Sequence, residues 1–108
     1  SHDIQTVDLL KIDVEGAELL VLDGARGVIE SHHPTILCEF NHLALEQLGG
    51  SSGELWNEWM SYKYCFFEYN HRARVLIRCK SAPQKGSPTY IGTVNPDRLA
   101  RHLGARIV

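Results

Sequence analysis

The sequence predicts an α/β domain in which early parallel strands are followed by a hairpin and an antiparallel last strand. Three observations carry that expectation. Residues 7–14 (VDLLKIDV) form a nearly unbroken apolar run, as in a strand covered on both faces of a parallel sheet. A helical stripe follows directly, and the later β-rich segments are joined by short polar connections. With 108 residues, 44% of them hydrophobic and 22% charged, the chain has the composition of a soluble globular domain.

Each element has a local reason. After the first strand, residues 15–31 place Ala17, Leu20, Val21, Ala25, Val28 and Ile29 on one helical face, with acids in the first turn. Gly24 and Gly27 are its points of interruption. His32 and His33 read as a solvated helix end, and Pro34 sits just ahead of a strand at 35–41, where a missing donor is tolerated. Residues 43–48 are a short helix stopped by Gly49 and Gly50. Ser51 and Glu54 stand at capping-box spacing ahead of a second helix, whose inner stripe is Leu55, Trp56, Trp59, Met60 and Lys63.

Residues 64–70 (YCFFEYN) and 74–79 (RVLIRC) form two strands that pair across His71, Arg72 and Ala73. A Pro-, Gly- and Ser-containing loop at 80–88 leads to a last strand at 89–94, and Asn95 caps a closing helix with Pro96 at its first position. No repeat, low-complexity tract or long linker divides the chain.

Charge and cysteine content exclude several classes. Eleven Lys and Arg against thirteen Asp and Glu give a net charge of -2 without blocks of either sign, so no nucleic-acid footprint is expected. No apolar run approaches the roughly 18 residues of a membrane span, and the first ten residues lack the pattern of a signal peptide. Cys38, Cys65 and Cys79 are odd in number and form no C-x-x-C pair, which argues against a disulfide framework or a zinc knuckle and fits free thiols in a reducing cytoplasm. The six histidines include no i, i+4 pair, so no metal site is expected from them.

In open α/β sheets the ligand lies beyond the carboxyl ends of parallel strands. The first strand ends in Lys11, Asp13 and Glu15, and the second in Glu39, Asn41 and His42. If the two strands are neighbours, these polar groups converge on one rim, as a proton-transfer or cation-stabilising site requires. Plainer roles also account for some of them. Lys11 and Glu39 serve equally as an interstrand ion pair, and Glu15 as an acid at a helix N-terminus. Asp13, at the mouth of a buried strand, has less water and no obvious helical role, which makes it the strongest candidate for chemistry.

The segment VDLLKIDVEGAELLVLDGA at 7–25 resembles the signature of the FkbM-type methyltransferases, S-adenosylmethionine-dependent O-methyltransferases with a Rossmann-like fold. PTILCE at 34–39 is similar to the family's next strand, and TYIGTVNPDRL at 89–99 to its closing strand and helix. The residues that carry the likeness are Lys11, Asp13, Glu15, Gly16, Glu18, Leu22, Gly24 and Glu39. The sequence departs from such enzymes in having no Gly-rich turn: its nine glycines include no G-x-G triplet. A complete domain of this kind needs on the order of 150 residues. The chain therefore resembles the C-terminal, substrate-side half, with the main cofactor-binding residues outside it, and its initial Ser is not expected to be the natural start.

The resemblance implies methyl transfer to a hydroxyl of a small molecule or sugar. Asp13 would face the cofactor's sulfonium and take the hydroxyl proton, Glu15 and Glu39 would assist, and Asn41 and His42 would hold the substrate. Two other readings stay open: a non-catalytic association module that pairs through an exposed sheet edge, and a metal-assisted enzyme using Asp13, Glu15 and Glu39.

Overall fold

The computed structural model describes residues 9–12, as a strand, and 24–108. In chain order its elements are β1 (Leu9–Ile12), α1 (Arg26–His32), β2 (Thr35–Glu39), α2 (His42–Gln47), α3 (Ser52–Ser61), β3 (Cys65–Asn70), β4 (Val75–Arg78), β5 (Thr89–Thr93), α4 (Pro96–Leu103) and β6 (Arg106–Ile107). The described strands form one mixed sheet in the order β1-β2-β5-β3-β4-β6.

β1 and β2 are parallel neighbours, with Leu9 opposite Thr35 and Ile12 opposite Cys38. β5 runs antiparallel to both β2 and β3, which therefore point the same way. These pairings match the expected parallel start and returning antiparallel strand. The β3–β4 hairpin also forms, but its loop spans four residues, because Arg74 adopts φ 54 and strand pairing resumes only at Asn70 and Val75. Asn70 Oδ1 accepts from the Ala73 amide at 3.1 Å and braces that loop.

Alternation along the strands sends side chains to two faces, and each face has its own core. On one, Ile36, Cys38, Phe66 and Tyr90 pack with Ile29 of α1, Leu45 of α2, and Leu55 and Trp59 of α3. On the other, Phe67 and Leu76 pack beneath Leu99 of α4. Phe66 and Phe67 are adjacent in sequence and anchor opposite cores, as a period of two requires.

The α3 N-terminus bears out the capping expectation in its main part, since Ser51 Oγ accepts from the Glu54 amide at 3.0 Å. Glu54 Oε1 meets the Ser51 hydroxyl at 3.5 Å. The inner stripe is shorter than expected. Lys63 is exposed and lies beyond the helix, because its backbone turns left-handed at φ 71. The Lys63 amide then bonds Met60 O at 3.0 Å and the Tyr64 amide bonds Trp59 O at 3.3 Å, the paired closure of a Schellman end. Tyr64 and Trp59 rings meet at 4.8 Å, supplying the apolar contact that accompanies such ends.

The α1 segment starts at Arg26, after Ala25 sits in a turn conformation at φ -98 and ψ 7, next to Gly24. It ends at His33, left-handed at φ 47, with both His32 and His33 exposed as expected. β2 stops at Glu39, two residues before the sequence suggests, because Asn41 turns to cap α2. Asn95 caps α4 as expected, accepting from the Arg98 amide at 3.1 Å, and Pro96 occupies its first turn. The short β6 has no counterpart in the sequence reading. It forms because Gly104, left-handed at φ 61, turns the chain back beside β4, where the Arg106 amide reaches Arg74 O at 3.0 Å.

Candidate functional site

The rim at the carboxyl ends of β1 and β2 is built by the aromatic core beneath it. Phe40 is fully buried, with its ring edge-on to Phe66 at 5.2 Å and 5.4 Å from Tyr90. That anchor fixes the chain immediately after Glu39 and immediately before Asn41. The Phe40 amide bonds Pro88 O at 2.8 Å and the His42 amide bonds Gly86 O at 3.1 Å, so the 80–88 loop runs beside the strand end.

Glu39 is half-buried at the last pair of the β2–β5 ladder, opposite Thr89. Asn41 accepts from the Ala44 amide at 3.0 Å, which commits its Oδ1 to capping α2 and leaves its Nδ2 as the donor for other groups. His42 opens α2 and has a partner at each ring nitrogen. Its Nδ1 lies 3.3 Å from Ser52 Oγ, and its Nε2 lies 3.6 Å from Glu46 Oε1, one helical turn on. Ser52 is 1% exposed, so the ring is held against a buried hydroxyl on one side and a surface carboxylate on the other. The Ser52 contact orients the imidazole, and Glu46 stands near its other nitrogen.

Two of these partners went unread in the sequence. The His42–Glu46 spacing of four was available as a helical neighbour pair. Ser52 was not, because its approach depends on how α3 docks on α2. The loop residues Gly86 and Pro88 likewise reach the rim only through the fold.

The β1 register sets Lys11 opposite Leu37 and brings the described strand to an end at Ile12, one residue short of the level of Glu39. Asp13 and Glu15, the expected catalytic carboxylates, lie outside the described residues, as does most of the expected helix at 15–31. Among the described residues no group of three or more His, Cys, Asp or Glu side chains could hold a metal ion. No described helix is long and apolar enough to cross a membrane. The three cysteines form no disulfide, Cys38 being buried and Cys65 and Cys79 half-buried.

The described cavities do not open on this rim. One of about 320 Å³ lies at the other end of the sheet, where β2 begins and β5 ends. Another of about 300 Å³ lies between α3 and the β3–β4 pair, lined by Trp56, Met60, Phe66 and Arg78. The rim is preferred as the candidate site on chemical grounds, because it gathers a carboxylate, a carboxamide and an oriented imidazole at the strand ends where α/β sheets bind ligands.

Comparison with known families matches residues 1–73 to the Methyltransferase FkbM domain. Comparison with curated proteins and with solved structures gives no match.

Proposed function

The chain belongs to the FkbM methyltransferase domain family, and from that premise we propose that it is the substrate-side part of an S-adenosylmethionine-dependent O-methyltransferase acting on a hydroxyl of a small molecule or sugar. The observation that carries this reading is the parallel pairing of β1 with β2, which sets the end of the LLKI strand next to Glu39, Asn41 and the doubly held His42. The sheet lends further support. Parallel β1 and β2, with antiparallel β5 inserted before β3, suit the C-terminal half of a Rossmann-like sheet.

The rim's donor set fits one side of the cofactor: a carboxylate and neutral dipoles suit the surroundings of a sulfonium cation. The sequence carries no G-x-G turn, so the principal cofactor contacts are assigned to residues outside the 108. S-adenosylmethionine, when bound, supplies an electrophilic methyl group. Asp13 takes the proton from the substrate hydroxyl and orients its oxygen, and Glu15 and Glu39 keep the rim negative. Asn41 and His42 hold the acceptor molecule by hydrogen bonds. In the whole enzyme the side of β1 that no described strand covers docks the cofactor half, and in its absence two copies of the 108-residue chain pair through that edge. Thiols outside any disulfide at Cys38, Cys65 and Cys79 suit a cytoplasmic enzyme.

The test is methyl transfer from labelled S-adenosylmethionine to a panel of hydroxyl acceptors, using the longer protein that carries this chain. Label is expected in an ether product, and Asp13→Asn is expected to lower turnover by roughly 100-fold or more with little change in cofactor affinity. Near-normal turnover in Asp13→Asn removes it as the base. Label found only on nitrogen or carbon overturns the O-methyltransferase reading. Glu39→Gln separates the remaining roles, since lost thermal stability with retained turnover assigns it to pairing with Lys11.

A further inference from the structure

One cavity is chemically unlike the rim and lies at the opposite end of the sheet. It is a cleft of about 320 Å³ between the end of α1, the start of β2, the end of β5 and the first turns of α4. His32 and His33 enter it from α1, and Arg98 and His102, one helical turn apart, enter it from α4. Among the described residues no carboxylate lines it. Asp97, the acid in the first turn of α4, is exposed and not among the lining residues. The strands contribute no charge, but β5 ends in Thr93, which is 5% exposed and accepts from the Asn95 amide at 3.0 Å. That bond uses an acceptor site of the hydroxyl and leaves its proton for a ligand oxygen.

We propose that this cleft binds the phosphoryl group of a soluble phosphomonoester. Arg98 offers a planar fork matched to phosphate oxygens, three imidazoles offer ring N–H donors, and the Thr93 hydroxyl supplies a neutral donor at the floor. The first turn of α4 adds a favourable dipole but is not needed for the argument. The opposing contribution is the C-terminal end of α1, whose carbonyls face the same region and disfavour an anion. The Arg98 guanidinium, entering from the facing helix, opposes that effect.

The experiment is a nuclear magnetic resonance titration of the nitrogen-15-labelled chain with glycerol 3-phosphate at constant pH and ionic strength. Saturable shifts are expected at His32, His33, Thr93, Asn95, Arg98 and His102. Arg98→Gln is expected to weaken binding by about five-fold or more, and His102→Gln to weaken it in the same direction. Inorganic phosphate is expected to shift the same amides, and sodium chloride is not. Shifts scattered over the surface, or an unchanged titration in both variants, would overturn the proposal. Binding to phosphatidic acid vesicles without binding to glycerol 3-phosphate would overturn it as well, assigning the cleft to a lipid headgroup.

Discussion

A Cβ added to Gly92 would stand 2.8 Å from Phe66 Cε1, well inside the distance that two carbons tolerate. Ile36 Cγ1 would meet the same atom at 2.8 Å from the other side. Both residues are Gly92's register partners, one on β2 and one on β3, so the antiparallel β5 is sandwiched by side chains that lean over its glycine. The missing side chain lets two large neighbours close a core that would otherwise need a bulkier spacing.

Gly92→Ala is therefore expected to destabilise the chain by about 1–3 kcal/mol through overpacking, despite the better strand propensity of alanine. Chemical denaturation measures it. Combining Gly92→Ala with Phe66→Leu should cost less than the sum of the two single changes, since the smaller side chain removes one of the clashes. A Gly92→Ala variant as stable as the parent would mean that the β5 packing is looser than described.

Tyr64 joins two distant parts of the fold. Its hydroxyl donates to Pro34 O at 2.5 Å, tying the residue ahead of β3 to the residue ahead of β2. Burial raises its phenol above the ordinary tyrosine range. The sign follows from linkage: a group whose folded value is raised stabilises fully below its unfolded value and loses that contribution as pH climbs toward the folded one. Stability should thus fall above about pH 10, where an unfolded tyrosine ionises. Tyr90, raised first by burial and then by its proximity to Cys79 and Glu68, adds to the same alkaline loss. Tyr64→Phe should cost about 1–3 kcal/mol at neutral pH, because the buried Pro34 carbonyl loses its donor, and should flatten the alkaline decline. Thermal melts from neutral to strongly alkaline pH check both effects, and an undiminished decline in Tyr64→Phe would assign it elsewhere.

Much of this architecture is legible from local patterns, and the exceptions have physical causes. The parallel β1–β2 pair, the hairpin and the Asn95 cap follow from runs, alternation and capping residues that act within a few positions. Lys63 leaves the expected stripe because a helical pattern does not reveal a left-handed closure at a non-glycine residue. β6 has no sequence signal because two residues carry no periodicity, and only Gly104 turns them toward β4. The place of Glu39, Asn41 and His42 at a strand end is legible from the run they follow, whereas Ser52 becomes a partner of His42 only when α3 packs against α2. Sequence separation of ten residues hides a contact that geometry makes short.

Cys79 should be a slow nucleophile. Burial first, and then the nearby Glu68 carboxylate, push its thiol from 9.0 to about 11, and a hydrogen bond with Tyr90 offsets only part of that. At about pH 8 its thiolate population is then roughly two orders of magnitude below that of an ordinary cysteine, and alkylation by iodoacetamide should be correspondingly slow. Peptide mapping after timed alkylation is expected to show Cys79 unmodified in the folded chain and modified in urea. Equal labelling rates in both conditions would contradict the described environment. The same raised value makes Cys79 stabilising below about pH 9 and progressively less so toward pH 11.

The contacts of His42 decide which role it can take. An ionised carboxylate only accepts hydrogen bonds, so Glu46 beside Nε2 favours the proton on Nε2 when the ring is neutral. Nδ1 then carries the lone pair and accepts from the Ser52 hydroxyl, which is buried and can turn its proton that way. A ring in this state has no free basic nitrogen: one is hydrogen-bonded to Ser52 and the other already bears hydrogen. His42 is thereby suited to donate toward a substrate oxygen by letting Nε2–H leave the exposed Glu46, and unsuited to abstract a proton, in keeping with the proposal that Asp13 is the base. Long-range nitrogen-15 correlation spectra of the imidazole should show the Nε2–H form at alkaline pH. Ser52→Ala should weaken that preference, and Ser52→Thr, which keeps the hydroxyl, should retain it. A predominant Nδ1–H form in the parent chain would reverse the donor and acceptor at Ser52, and would return His42 to the list of candidate bases.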